Sequence, residues 1–245
     1  MFTELSTETG HSTVTSLDVG DFDEDGIPDA AAATLWLDPL GRYNGKLLVM
    51  KGLGDGSFAI PAEYGEYYSG RYYIAAGDAN GDGHLDLICT DYYDTHFDNF
   101  GVEIWHGQGD GTFGDRIDLL STVYNPRHII ATEEASSGRT VIAIVGDHQT
   151  KFFMGSESGV YQSHTRLRFT EEGDSSVLAD FDGDGDLDTA VCTEQRVTMY
   201  RGYGEARFPA ETATPDHLNP LSIDSADFND DGLPDLAVAV EEATD

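Results

Sequence analysis

The chain has 245 residues, 46 of them Asp or Glu against 13 Lys or Arg, for a formal net charge of −33. Such a charge repels phosphate backbones and anionic lipid alike, which argues against nucleic acid as a partner and against membrane insertion; no run of about 18 apolar residues offers a spanning helix. The 28 Gly and the 11% share of aromatic residues suit a turn-rich fold long enough to bury a core.

Residues 1–10 lack the basic patch and apolar stretch of a secretory signal, which fits a cytoplasmic, already processed or cut-out chain. Phe2 starts a column of aromatics continued by Phe58, Phe113, Tyr161 and Phe208, and each of the last four closes a glycine turn of the type Gly52-Leu-Gly-Asp-Gly-Ser-Phe58. Between these turns an acidic nonapeptide recurs: Asp21-Phe-Asp-Glu-Asp-Gly-Ile-Pro-Asp29, then residues 78–86, 180–188 and 227–235. The two series define five repeats of about 50 residues, near 11–63, 64–119, 120–167, 168–214 and 215–245, in one domain spanning 1–245. The fifth repeat is incomplete, and residues 1–10 read as an outer strand.

In repeat three the acidic loop survives only as a relic at 132–141, with Glu134 aligned on Asp78, Ser136 on Asn80 and Val141 on Asp86. Its flanking strands persist, so the repeat is a structural unit first. Repeat four reads as strands at 175–180, 189–193, 197–200 and 207–211. Leu47 and Val49, Val102 and Ile104, and Val197 and Met199 show the period of two expected of half-buried antiparallel strands. No helical period appears. The expectation is an all-β chain, a β-propeller of four-stranded antiparallel blades, either five-bladed or a piece of a longer parent.

The nonapeptide places alternate side chains at positions 1, 3 and 5, a backbone carbonyl at 7 and a closing carboxylate at 9 around one point, with glycine at 6 for the sharp turn. The candidate ligands are Asp21, Asp23, Asp25, Ile27 and Asp29; Asp78, Asn80, Asp82, His84 and Asp86; Asp180, Asp182, Asp184, Asp186 and Asp188; and Asp227, Asn229, Asp231, Leu233 and Asp235. Oxygen-only donors at this density suit Ca2+ over Mg2+. Up to four structural Ca2+ are expected, with the repeat-three loop empty. Three carboxylates within one turn would repel strongly without a cation. Position 12, Glu in an EF-hand, is here Ala32, Cys89, Val191 and Val238, inside apolar strand runs, so each loop joins two strands. Cys89 and Cys192 lie in those runs and read as buried free thiols. Only three Lys occur, and the carboxylate excess suits a high-salt source.

The segments Gly-Asp-Phe-Asp-Glu-Asp-Gly-Ile-Pro-Asp29, Ala-Asp-Phe-Asp-Gly-Asp-Gly-Asp-Leu-Asp188 and Gly-Gln-Gly-Asp-Gly-Thr-Phe113 resemble the FG-GAP or VCBS-type repeat family, also found in integrin α-subunit propellers. The resemblance implies an extracellular or cell-surface propeller, commonly of seven blades, with calcium between the first two strands of a blade, acting as an adhesion or protein-interaction module; the longer parent would then be seven-bladed.

Repeats one and two carry extra residues at 35–45 and 91–100, and the crossover at 64–73 is rich in tyrosine. In an up-and-down blade these fall on the face opposite the acidic loops. They gather Trp36, Arg42, Tyr43, Tyr67, Tyr68, Arg71, Tyr92, Tyr93, His96 and Phe97, a candidate surface for a protein or glycan ligand. No H-E-x-x-H, G-x-S-x-G or P-loop occurs, and Gly109-x-Gly111-x-x-Gly114 coincides with a hairpin turn. The reading is therefore non-catalytic, with a carbohydrate-binding module or a propeller-type polysaccharide lyase or hydrolase as alternatives.

Overall fold

The computed structural model describes residues 13–41, 43–65, 69–93, 100–120, 123, 125–155, 161–214 and 219–241, and among these no helix occurs. The chain is all-β, and its strands fall into two compact units: residues 1–78 with 82–124, and residues 79–81 with 125–245.

The first unit holds two antiparallel meanders of four strands each. One is β1 (Thr13–Gly20), β2 (Asp29–Leu37), β3 (Tyr43–Met50) and β4 (Ala62–Tyr64); the other is β5 (Ser69–Gly77), β6 (Asp86–Tyr93), β7 (Phe100–Gly107) and β8 (Phe113–Leu120). Strand neighbours in sequence are neighbours in the sheet, the up-and-down order of a blade.

The second unit contains β9 (His128–Glu134), β10 (Arg139–Met154), β11 (Gln162–Ala179), β12 (Asp188–Thr193), β13 (Val197–Arg201) and β14 (Ala210–Ala213) in one run of pairings, plus the pair β15 (Pro220–Ala226) and β16 (Asp235–Val240). Two of these strands each serve twice. The Gly155 amide donates to the Thr140 carbonyl at 3.0 Å, so β10 folds back on itself about His148, whose φ is 59°. β11 pairs with β10 as far as Glu172 and with β12 from Gly173 onward. The run is thus two blades: β9, the two arms of β10 and the first half of β11; then the second half of β11 with β12, β13 and β14.

The expected half-buried strands are instead apolar on both faces. Ala31, Ala33, Leu47 and Val49 enter one core cluster, while Ala30, Ala32, Leu48 and Met50 enter another. In repeat four, Val191 and Tyr200 pack with Phe152 and Phe208, and Ala190, Cys192 and Val197 pack with Ile223. Inner strands covered on both faces read as continuous apolar runs instead of alternating ones. Each fully buried Leu or Ile among them contributes about 2 kcal/mol. Cys89 and Cys192 are buried free thiols, as expected.

The last strand of repeat four begins at Ala210 instead of Arg207. Glu205 and Ala206 adopt positive φ of 52° and 50°, and the Arg207 amide donates to the Gly204 carbonyl, so the turn consumes the residues assigned to the strand.

Candidate metal centres

Each acidic loop lies between the first and second strands of a blade: β1 and β2, β5 and β6, β11 and β12, β15 and β16. Its shape follows from short carboxylates capping nearby amides, the competition that keeps Asp out of regular structure. Asp21 accepts from the amides of Asp25 at 3.1 Å and Gly26 at 2.8 Å, and Asp25 accepts from Ile27 at 2.9 Å. Asp78, Asp180 and Asp227 bracket their loops in the same way. Gly26, Gly83, Gly185 and Gly232 have φ from 82° to 92°, which explains the invariant glycine at position 6.

The position-9 carboxylate does more than close the loop. Asp29 Oδ2 accepts from the Phe22 amide at 3.0 Å, while Oδ1 accepts from the Gly52 amide at 2.7 Å. Asp188 holds Phe181 at 3.1 Å and Gly202 at 2.6 Å, and Asp86 holds Gly107 at 2.9 Å. The loop is therefore tied to the glycine turn of the same blade. That turn needs glycine because a Cβ at residues 52, 107 or 202 would stand 2.1 to 2.2 Å from the position-8 carbonyl of Pro28, Leu85 or Leu187.

Two groups of three carboxylates converge with oxygens within 4.8 Å of one another: Asp21, Asp23 and Asp29, and Asp180, Asp182 and Asp188. These groups could hold a metal ion. Asp23 bears on the fit: its side chain is 9% exposed, and its Oδ1 is buried without a hydrogen-bond partner among the described residues. A buried acceptor left bare costs about 1–3 kcal/mol, and a hard cation would remove that cost. Burial pushes the Asp188 carboxyl up, against the amides that lower it, so this group also gains from a cation. Loops two and five carry Asn80 and Asn229 at position 3 and so present fewer carboxylates.

The position-5 carboxylates stand outside these groups. Asp25 Oδ2 pairs with Lys51 Nζ at 2.9 Å, and Lys51 also pairs with Asp23. Arg201 reaches Asp182 at 2.8 Å and Asp184 at 2.9 Å. The ammonium of Lys51 holds Asp25 below the usual carboxylate range, and the Arg201 guanidinium does the same to Asp184. These braces escaped sequence reasoning, although a signal existed. The residue before the glycine turn is Lys51, His106 and Arg201 in the blades with an acidic loop, and Met154 in the relic blade.

The relic is a tight hairpin, and its alignment needs correcting by one residue. With Glu134 on Asp78, Thr140 pairs with Glu133 as Asp86 pairs with Gly77, so Thr140 and not Val141 takes position 9. Two residues have been lost between positions 1 and 9. The Gly155 amide accordingly donates to a backbone carbonyl, that of Thr140, where the other blades offer a carboxylate. Glu134, 1% exposed, accepts from the Ser137 hydroxyl at 2.7 Å and the Glu205 amide at 3.2 Å.

Of the proposed ligand face, Trp36 is half-buried near the end of β2, where it pairs with Asn44. Tyr43 starts β3 opposite Leu37, Arg71 lies on β5 opposite Asp91, and Tyr92 and Tyr93 end β6 opposite Gly70 and Ser69. The extra residues at 35–45 are thus largely a lengthened hairpin. Arg42, Tyr67, Tyr68, His96 and Phe97 lie outside the described residues.

The fold is of the β-propeller class. Residues 180–238 match the model of the FG-GAP-like repeat family. Among solved structures the chain is similar to BBS1N in complex with ARL6DN, soaked with lead, at 10% identity and a TM-score of 0.55, covering 91% of this chain and 61% of that one. It also matches exo-inulinase from Aspergillus awamori at 12% identity and a TM-score of 0.46, over 83% of this chain and 50% of that one. Fructofuranosidase from Schwanniomyces occidentalis complexed with fructose matches at 9% identity and a TM-score of 0.47, over 78% and 42%. The chain spans less than two thirds of each. No match was found among curated protein sequences.

Proposed function

We propose that this chain is a non-catalytic β-propeller interaction module, of the adhesion type, in which calcium is a structural staple between the first two strands of a blade. The observation that carries the reading is the buried, unpartnered Asp23 Oδ1 in the group formed with Asp21 and Asp29. In repeats one, two and four the staple would hold a loop whose position-9 carboxylate already binds the glycine turn, so ion binding would stiffen both connections at one end of the blade. Every side-chain donor comes from one local loop, an arrangement that reinforces a turn and presents no general base to a substrate. Calcium sites in extracellular modules work at about 10⁻⁴ to 10⁻³ M, and an extracellular or cell-surface location accords with that range and with the repeat family.

The test is thermal unfolding in EGTA and in millimolar Ca2+ or Mg2+, at low and molar NaCl. Calcium at about 100 times its Kd adds roughly 2.7 kcal/mol for each site bound only in the folded state. A calcium-specific rise in Tm at both salt concentrations is expected. A Tm indifferent to calcium at both would overturn the reading.

A further inference from the structure

The chain carries 46 acidic residues, so a basic side chain rarely lacks a neighbour of opposite sign. Outer strands follow this rule elsewhere: on β4, Glu63 pairs with Lys46, and on β8, Arg116 reaches Glu103 at 2.8 Å and Asp118 at 2.9 Å. The third blade breaks it. Lys151 on the second arm of β10 stands directly opposite Arg166 on β11, and Arg168, two residues on and on the same face, stands opposite Gln149. Like charges directly opposed destabilise a sheet. Arg166 and Arg168 are exposed, and among the described residues neither makes an ion pair or side-chain hydrogen bond. The Lys151 ammonium lies 4.8 Å from the centre of the Phe153 ring, and burial, followed by the charge of Arg166, pulls it below the usual lysine range.

The strand bearing the two arginines is an edge. β11 from Gln162 to Arg168 pairs with β10 on one side, and no described strand occupies the other. Edge charges keep sheets from joining indiscriminately, a task that either sign and internally paired groups perform, as on β4 and β8. Cations at a spacing of two with no acidic partner among the described residues go further, because they select what may join. Phe153 beneath Lys151 is buried, so among the described residues this face offers no aromatic platform for a sugar ring, whereas an edge strand offers main-chain hydrogen bonds to an incoming strand.

We propose that this edge binds an acidic polypeptide strand, added beside residues 162–168, whose alternate carboxylates meet Arg166, Arg168 and Lys151. The proposal rests on the interaction-module reading and gives the partner its chemistry. Arginine's planar fork suits carboxylates held at fixed spacing.

The probe is a capped octapeptide of alternating Glu and Thr, titrated into the calcium-loaded protein, with amide chemical shifts and calorimetry as readouts. Saturable shifts confined to 162–168 and their neighbours are expected, with affinity falling about tenfold from 50 to 500 mM NaCl. Arg166→Gln with Arg168→Gln should lower affinity at least about tenfold at low salt, and Arg166→Lys with Arg168→Lys should retain most of it. A Gln-Thr peptide should not bind. Absence of saturable binding, or binding unchanged in the Gln variant, overturns the proposal. So does tighter binding of a uronate oligosaccharide to the same residues, which would make the partner a glycan. If calcium leaves Tm unchanged while the peptide binds, the metal reading fails and the edge assignment stands.

Discussion

The Gly52 amide donates to Asp29 Oδ1 at 2.7 Å, across 23 residues of chain. This bond joins the two sequence signatures of the repeat, and its counterparts are Gly107 with Asp86 and Gly202 with Asp188. Alanine at residue 202 would bring a Cβ to 2.1 Å from the Leu187 carbonyl and force the amide away from Asp188. Gly202→Ala should cost about 3 kcal/mol, combining steric strain with a lost buried hydrogen bond, whereas Gly26→Ala meets no atom within 4 Å and bears only the strain of φ 82°. Urea unfolding of both variants checks the order.

Lys51 and Arg201 act as internal cations for loops one and four. Any added divalent ion must share Asp23 or Asp182 with them. Lys51→Gln and Arg201→Gln should therefore raise calcium affinity about three- to tenfold, a modest gain because both side chains are half-exposed and screened. The same variants should melt earlier in EGTA. Calorimetric titration paired with thermal scans separates the two effects.

Ligand charge orders the four loops. Loops one and four offer three converging carboxylates each, while Asn80 and Asn229 replace one in loops two and five. Calcium titration should show a tighter pair of sites before a weaker pair. Asn80→Asp should move loop two toward the tighter class, and an unchanged isotherm would contradict this ordering.

His84 Nδ1 lies 2.5 Å from Glu24 Oε1, joining loop two to loop one. The Glu24 carboxylate raises the His84 pKa above its ordinary 6.5. A raised folded-state value means that the pair adds stability fully below pH 6.5 and loses it as pH rises through the folded value. In EGTA, Tm measured from pH 6 to 9 should fall more for the parent than for His84→Asn. The carboxylates lowered by Lys51 and Arg201, Asp25 and Asp184, work in the opposite sense: their contribution is lost only as pH drops below about 4.

Glu134 keeps one oxygen on Ser137 and the Glu205 amide, while its buried Oε1 has no hydrogen-bond partner among the described residues. Glu134→Ala should cost about 2 kcal/mol by stranding the Glu205 amide, and Glu134→Gln, which keeps an acceptor, should stay within about 1 kcal/mol of the parent. Chemical denaturation distinguishes them.

The repeats, the strands and the placing of acidic loops between strands are legible in the sequence because turn chemistry is local: Asp at position 1 and Gly at position 6 each answer a neighbour a few residues away. The double-faced burial of Leu47 and Leu48 was not legible, since a period of two reports alternation and not what covers each side. Nor was the salt-bridge partner of Asp25. Lys51 lies 26 residues downstream, and only its column beside His106, Arg201 and Met154 hints at the pairing. The shortened relic misled alignment because two deleted residues shift register without changing the flanking apolar pattern.

β11 is the outermost strand of one blade and the innermost strand of the next, with pairing handed from β10 to β12 between Glu172 and Gly173. Neither blade can let go of it without exposing an edge of the other, so the two should open together. Amide exchange along 162–179 should report a single opening free energy instead of a step at the blade boundary, and a protease should find no early cut there.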